Sequence, residues 1–435
     1  VIGSDNIIGE YSSFKRTILW KGCNIGQKVQ LRGCTLCNKV QVKEASSVFE
    51  QSVVGGNTVV KERAIVKPGI KIWPSKTVES DTEINVNLVW GAKYSKMLFG
   101  EKGILGEVNV DLTPEFASRL GASFGALFKN DGKIGISVDE TNASDMLKSS
   151  FIAGLLSAGI DVYDFGQQIL PIMRAAVTFY GLDGGIHLGT ATQNNDLKLL
   201  IDFLDGYGVN INRAMERKLE NIFTREDFYR CEANKIGKVN KIQDFKSYYL
   251  RDTINKMQHK DLHFKVLMNG SSKLIESLGA AMLKELNCEI GIRPSRPETA
   301  GIGYGSGIAE EIGGLSKEVV TSGADIGVFI EKNGEKMILI DEKGKTIAEE
   351  MFMTLVALIT LETVKNATII VPISAPSVID VLAEQYGGKV LRTKTSPLEV
   401  MGQMVSNGQE DIALNHQFIL NFDAIGGLVR IMDFM

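Results

Sequence analysis

The sequence predicts a hexapeptide-repeat β-helix followed by tandem α/β domains. Two observations carry this: an aliphatic residue at every sixth position over the first 84 residues, and a change after Lys93 to alternating strand-like and helix-like segments. Counting by sixes from Leu36 gives Val42, Val48, Val54, Val60, Val66, Ile72, Val78 and Ile84. Two earlier runs share the step, Ile2, Ile8, Phe14 and then Leu19, Ile25, Leu31, and a five-residue step joins each run to the next. Neither a 3.6-residue helix nor a two-residue strand alternation has this period. It fits a three-sided coil in which each six residues build one face and one aliphatic side chain per face points inward. Gly3, Gly9, Gly26 and Gly55 follow inward positions, and Ala64 and Gly69 fall near the expected bends, where a Cβ is costly. At about 18 residues per coil the repeat gives about five coils, stacked at the ~4.8 Å spacing of paired strands.

Length and composition bound the rest. A chain of 435 residues has room for about two to four domains with real cores. Its 44% apolar and 23% charged content is that of an ordinary globular protein. A net charge of −4 and a pI near 5.8, with no basic cluster, exclude a general nucleic-acid binder. The five cysteines are sparse; Cys34 and Cys37 have C-x-x-C spacing but no second pair and no nearby His, so they read as small apolar fillers of the coils. This usage suits a reducing cytosol, and a cytoplasmic protein is expected. No signal peptide is visible, and the apolar run around Met351–Leu361 is too short to span a membrane. The chain opens on Val1 in mid-repeat, which leaves an uncovered strand edge, and closes on the helix-like Gly426–Met435. It is therefore expected to be part of a longer gene product.

In chain order, the repeat fades after Ile84, with Leu88–Gly91 as its last strand. The first histidine is His187, so the coil lacks the His that acyltransferases built on such repeats use as general base. Its expected role is a rigid assembly spine that makes a homo-oligomer. Thr113–Phe128 reads as a helix, with Thr113 as N-cap and Pro114 at its first position. Strand Lys133–Asp139, helix Ser144–Ala158, strand Ile160–Gly166, helix Pro171–Tyr180 and strand Gly185–Gly189 follow, the alternation of a layered α/β domain. Ala214–Phe223 and Asp244–Met257 are further helices. A second unit has strand Phe264–Asn269, helix Ser272–Leu286 and a hairpin of Asp325–Ile330 with Met337–Asp341, turning at Asn333-Gly334. A third has helix Ile347–Leu361, strand Thr368–Val371, helix Pro376–Tyr386 and strand Lys389–Thr393. The expected domains are 1–91, 92–236, 237–342 and 343–435.

These three α/β units resemble domains one to three of the phosphomannomutase/phosphoglucomutase (phosphohexomutase) superfamily. Phe99-Gly100-Glu101-Lys102-Gly103-Ile104-Leu105-Gly106 is similar to its opening F-G-T-x-G-I-R-G. Thr190-Ala191-Thr192-Gln193-Asn194-Asn195 stands where the family has T-A-S-H-N-P, the loop of the phosphorylated serine. Glu331-Lys332-Asn333-Gly334-Glu335-Lys336 stands where it has D-G-D-G-D-R, the magnesium loop, and Arg392-Thr393-Lys394-Thr395-Ser396 resembles R-T-K-V-G of domain three. A hexapeptide left-handed β-helix in front of such a region further resembles the C-terminal part of fused sugar nucleotidyltransferases of the mannose-1-phosphate guanylyltransferase type, whose transferase domain lies upstream.

Against that resemblance, much of the machinery is altered. Thr192 replaces the serine, keeping a hydroxyl but adding a β-methyl that crowds χ1. Gln193 replaces the His, Asn195 the Pro, and Leu105 the Arg of the opening motif. In the metal loop Glu331, Lys332, Glu335 and Lys336 sum to zero and Asn333 is neutral; Mg²⁺ requires near-ideal octahedral oxygens, so no metal is expected there. Gly408-Gln409-Glu410-Asp411-Ile412 keeps the acids but not the pattern of the sugar-selecting G-E-x-S-G-H, and His416 reads as structural. The phosphate-gripping fourth domain has no counterpart. The expectation is a non-catalytic assembly and regulatory region of a sugar-1-phosphate nucleotidyltransferase, without cofactor. The alternative is an active phosphohexomutase with Thr192 as phosphoacceptor and Mg²⁺ as its metal. The degenerate positions Thr190, Thr192, Gln193 and Asn194, with Glu331, Asn333 and Glu335, are then its candidate site residues. A sugar phosphate is the possible ligand.

Overall fold

The computed structural model describes residues 1–85, 87–88, 93–94, 98–100, 102–128, 132–193, 196–294, 306–408 and 412–435. They form two units, Val1–Thr113 and Pro114–Met435.

In the first unit the strands up to Lys93–Tyr94 are two or three residues long and fall into three parallel sheets. Each strand up to Ile65–Val66 pairs with the third strand after it: Asn24–Ile25 with Gln41–Val42, that with Val59–Val60, and that with Thr77–Val78. The chain therefore passes through three faces per coil. Ile18 lies opposite Thr35 where a five-residue step intervenes, whereas Thr35 lies opposite Val53 where all steps are six. The nine residues from Leu36 to Ile84 are each at most 2% exposed. Ile2 and Ile8, in a first coil stacked on one side only, are 57% and 42% exposed.

The bends are made differently from the expectation. Positive φ recurs three residues after most inward positions, at Lys39, Ala45, Gln51, Asn57, Arg63, Gly69, Ser75 and Asp81, and most of these residues are not glycine. Each non-glycine corner costs about 1 kcal/mol or more, which the stacked backbone hydrogen bonds must offset. The glycines beside inward positions answer to crowding instead: a Cβ on Gly9 would lie 2.6 Å from the Gly26 backbone, and one on Gly55 2.4 Å from the Pro74 nitrogen. The coil also runs past Ile84, because Leu88 bridges Ile72 and Lys93–Tyr94 pairs with Thr77–Val78. Residues 89–91 of the expected last strand lie outside the described residues. Cys23 and Cys34 are buried and unoxidised, and burial pushes the Cys34 thiol up to about 11.

The second unit carries three sheets. In the first, strands run in the order Asp196–Asp205, Gly184–Gln193, Lys133–Val138, Asp161–Gln167 and Val239–Lys241. All neighbours are parallel except the first two, an antiparallel hairpin. Helices α1 (Pro114–Gly125), α2 (Asn142–Ser157), α3 (Leu170–Tyr180) and α4 (Arg213–Arg225) belong to this layer. The sequence reading missed the strand Asp196–Asp205. Its Leu199, Ile201, Phe203 and Leu204 are all buried, so both faces are covered and no two-residue alternation marks it.

After α5 (Phe245–Asn255), the second sheet has the order Glu289–Ile292, Lys265–Gly270, Ile326–Ile330, Met337–Ile340, with α6 (Lys273–Glu285) and α7 (Ser306–Ser322). The third pairs Thr368–Pro372 with Lys389–Thr393 beside α8 (Glu349–Thr363) and α9 (Val378–Gln385). Helices α10 (Pro397–Gly408), α11 (Ile412–Phe422) and α12 (Ala424–Phe434) close the chain. One apolar core runs through Met173 of α3, Val266 and Val328 of the second sheet, Met282 of α6 and Leu428 of α12. Among the described residues no helix is long and apolar enough to cross a membrane.

Val60 is fully buried, with Val42 and Val78 paired on either side of it. Val60→Asp should bury an unpaired carboxylate and cost about 3 kcal/mol or more, whereas Val60→Ile should cost about 1.5 kcal/mol or less. Thermal melts of both variants test this; an unaltered melting temperature for Val60→Asp would place the side chain outside the coil.

Candidate functional site

Parallel strands deliver their C-terminal ends to one edge of the sheet, where binding residues gather. Lys133–Val138 ends there on Asp139, a nearly buried carboxylate. Its Oδ1 accepts from the Thr141 amide (3.0 Å) and hydroxyl (2.7 Å), fixing the start of α2, whose N-cap is Thr141. Its Oδ2 accepts from the Thr190 amide (2.8 Å) and hydroxyl (2.7 Å). Burial pushes the Asp139 carboxyl up, but the hydrogen bonds from Thr141, Thr190 and Ser144 outweigh it and hold the group below its ordinary value. Asp139 thus clamps the base of the hairpin that carries Thr192 two residues on. Thr192 lies opposite Leu197, and Gln193 opposite Asp196. Asn194 and Asn195 lie outside the described residues, as do Glu101 of the opening motif and Gln409–Asp411 of the sugar-selecting stretch.

The 331–336 loop meets this base. Lys332 is almost buried, and its Nζ stands 4.0 Å from Asp139 Oδ2. Asp139, Thr190, His187, Ser272, Lys332 and Asn333 line one narrow crevice. Two of the three acid-site side chains of the loop, Asn333 and Glu335, are engaged by protein partners. Arg174 of α3 reaches Glu335 Oε1 through Nη2 (2.5 Å) and Nε (3.2 Å). Asn333 Nδ2 donates to Glu335 Oε2 (2.8 Å), and the Glu335 amide donates back to Asn333 Oδ1 (3.1 Å). Glu331 accepts from the Gly334 amide through its backbone carbonyl (2.8 Å), which closes the turn. Arg174 is completed by the Gly208 carbonyl and by Asn210, which in turn donates to Asp202. The loop is therefore not the solvated turn that its mixed charge suggests.

As a cradle for Mg²⁺ the described residues do not fit. Both Glu335 oxygens are engaged, one by a guanidinium, and no group of three or more His, Cys, Asp or Glu side chains among the described residues is arranged to hold a metal.

His187 is buried, with Nδ1 2.9 Å from the Ser137 hydroxyl on the neighbouring strand. Burial lowers its pKa from 6.5 to about 4. Sequence reasoning noted His187 only as the first histidine and did not single out Asp139 or Arg174. One clue was available for Asp139, its place at the end of a buried parallel strand. Leu105, of the opening motif, lies in the short strand Ile104–Gly106 of the first unit.

With this geometry in place, the relatives become informative. The family model for "Phosphoglucomutase/phosphomannomutase, alpha/beta/alpha domain I" matches residues 96–230. A phosphoglucomutase/phosphomannomutase of Thermococcus kodakarensis is 30% identical over 325 residues, covering 71% of this chain and 69% of its own length. The chain belongs to the phosphoglucomutase/phosphomannomutase family. A phosphoglucosamine mutase of Caldicellulosiruptor saccharolyticus is 27% identical over 321 residues, 72% of this chain and 71% of that protein. A phosphoglucomutase/phosphomannomutase family protein from Burkholderia thailandensis shares the fold at a TM-score of 0.66 and 18% identity, covering 78% of this chain and 76% of that one.

This family membership corrects the expected function. The similarity over some 70% of the chain is to phosphohexose mutases, and none of these similarities is to a nucleotidyltransferase, so the reading as part of a guanylyltransferase-like enzyme is overturned. The expectation of no cofactor also lacks support from this family, because the resemblance assigns Mg²⁺ to its metal loop.

The buried His187 generates a pH dependence. Between about pH 4 and pH 6.5 the unfolded chain binds a proton at this residue and the folded chain does not. Its stability contribution is complete above about pH 6.5 and is lost as pH falls toward about 4, a change of about 3 kcal/mol. Denaturant unfolding of the parent and of His187→Gln at pH 4.5 and pH 7 should show a flatter acid limb in the variant. Parallel acid limbs would mean that His187 is protonated in the folded protein.

Proposed function

We propose that this chain is a phosphohexomutase that carries a phosphoryl group on Thr192. In the first half-reaction the Thr192 O–P bond breaks as a sugar hydroxyl bonds to phosphorus and passes its proton to the Thr192 oxygen; in the second the Thr192 oxygen bonds to the other phosphorus of the sugar bisphosphate, and the sugar oxygen leaves with the Thr192 proton. The observation that supports this reading is the Asp139 clamp on Thr190, which fixes the base of the Thr192 hairpin and draws Lys332 to the same spot. The ammonium supplies positive charge beside a group that must hold a dianionic phosphoryl, and positioning with charge compensation is most of what such transfer requires. A hexose phosphate is the substrate class, as for the mutases to which the chain is similar.

Incubation with a hexose 1,6-bisphosphate, followed by intact-mass analysis, should show one phosphoryl group on the parent and none on Thr192→Ala. Thr192→Ser, which removes the crowding methyl, should raise interconversion of hexose 1- and 6-phosphates by about tenfold, a barrier change of about 1.4 kcal/mol. Parallel reactions with Mg²⁺ and with a chelator read out the metal. Turnover that survives in Thr192→Ala would remove Thr192 from the reaction.

We also propose that residues 1–91 are a hexapeptide β-helix through which copies of the chain associate. The face built from Ile18–Leu19, Thr35–Leu36, Val53–Val54 and Lys71–Ile72 carries a shallow groove walled by Trp20 and Trp73, which are 49% and 56% exposed. Indoles at this exposure favour a partner surface. Light scattering of the intact protein should give a mass above the monomer, reduced in Trp20→Ser/Trp73→Ser. A monomer at micromolar concentration would sink the idea.

A further inference from the structure

A second cavity, of about 620 Å³, opens among α3, α5 and helices α10 to α12, and none of the residues assigned to phosphoryl transfer lines it. Its size is that of a small-molecule site. Two features of its wall are otherwise unexplained. The first is Arg430 of α12. Burial pushes its guanidinium down from the ordinary value, and its acidic neighbours are Asp423, Asp252 and Asp433, the first two of which also line the cavity, with the neutral Tyr249 phenol beside them. Each of those groups already has its partner. Asp423 accepts from the Tyr249 hydroxyl and from the Gly426 amide at the head of α12. Asp252 holds Lys256 at 2.6 Å. Asp433 accepts from the backbone of Gln258 and His259 and lies 3.1 Å from the His259 ring. Among the described residues no hydrogen bond or close ion pair holds Arg430, which feels those carboxylates at longer range and keeps contact with solvent.

The second feature is aromatic. Phe179, Tyr207 and Tyr248 line the cavity yet are 53%, 56% and 44% exposed, so their faces are open to an occupant. Phe179 and Tyr248 pack at 4.5 Å between centroids with their planes tilted by 49°, and Phe245 stacks on Tyr248 at 5.7 Å, so Tyr248 is held by two neighbouring rings. Phe418 of α11 also lines the cavity. One ligand can engage both the Arg430 guanidinium and the open ring faces of this concave site.

We propose that this cavity binds an anionic ligand with a flat unsaturated body, of the mononucleotide class, its phosphate on Arg430 and its ring against Tyr248. Arg430 provides paired N–H donors in the planar fork that matches phosphate. The base needs no specific hydrogen bonds, because stacking is tolerant of base identity. The ligand would touch α3, whose Arg174 reaches the 331–336 loop, as well as α11 and α12.

Calorimetric titration of the full chain with AMP tests this, with adenosine and inorganic phosphate as separate probes. AMP should bind with Kd below about 1 mM, and adenosine and phosphate each about tenfold or more weaker. Arg430→Met should weaken AMP at least about tenfold while sparing adenosine, and Tyr248→Ala should weaken both AMP and adenosine. Thr192→Ala should bind AMP as the parent does. If Arg430→Met melts early, Arg430→Lys keeps a charge without the fork and should give intermediate affinity. The proposal is overturned by a parent that does not bind AMP, by AMP affinity unaltered in Arg430→Met, or by phosphate binding as tightly as AMP. Loss of AMP binding in Thr192→Ala would also overturn it, because the ligand would then sit in the phosphoryl site.

Discussion

A guanidinium withdrawn from water must find acceptors for its donors, and in this protein Arg174 finds them in three places at once. Its partners are Glu335 in the 331–336 loop, the Gly208 carbonyl in the turn after the hairpin strand, and Asn210. Breaking one member of such a buried pair costs about 3–5 kcal/mol, since the other charge is left stranded. The same loop is held at two further points: the Leu170 amide donates to the Asn333 carbonyl and the Ala424 amide to the Gly334 carbonyl. The loop of the second sheet is thereby tied to the start of α3 in the first layer and to the start of α12 near the C-terminus. Gly334 takes a positive φ with its open side against Ile169, where a Cβ would lie 2.8 Å from Cδ1. Glycine at this position serves both the turn and the close approach.

What the sequence made legible follows from which forces act locally. The inward residues of the coil were readable because a narrow parallel stack admits one aliphatic side chain per face, and that repeats through Val42, Val48, Val54 and Val60. The corners were not, because the stacked backbone imposes positive φ on whatever residue stands there, Lys39 and Gln51 as readily as Gly69. The α/β elements up to Tyr180 show their period and their caps, and the structure places them within a few residues of the expected limits. Helices α10 and α11 were missed; α11 is apolar on most of its surface, with Ala413, Leu414, Gln417, Leu420 and Phe422 buried, so no amphipathic stripe marks it.

The candidate site was legible as motifs and illegible as a network. Thr190 and Thr192 were found because they stand in a short run similar to the family's loop. Asp139, which fixes that loop, is 51 residues from Thr190, and Arg174 is 161 residues from Glu335. A lone Arg on a helix reads as a solvent-facing residue. Only the fold shows that its face of α3 is covered by the turn around Gly208 and by the 331–336 loop.

Charge explains why these hidden partners matter. In the loop itself Glu331 and Glu335 are balanced by Lys332 and Lys336, and Arg174 adds one fixed positive charge from another element. A unit charge about 4 Å from another is worth ~4 kcal/mol at an effective dielectric of about 20. Lys332 stands at that distance from Asp139, which itself holds the hairpin through Thr190. An incoming phosphoryl group would thus compete with Asp139 for the ammonium, while Asp139 could retain its four hydrogen bonds from Thr141 and Thr190 without it. The hydrogen bonds from Thr141 and Thr190 fasten the carboxylate, so Lys332 can turn toward a new anion without unfastening the hairpin.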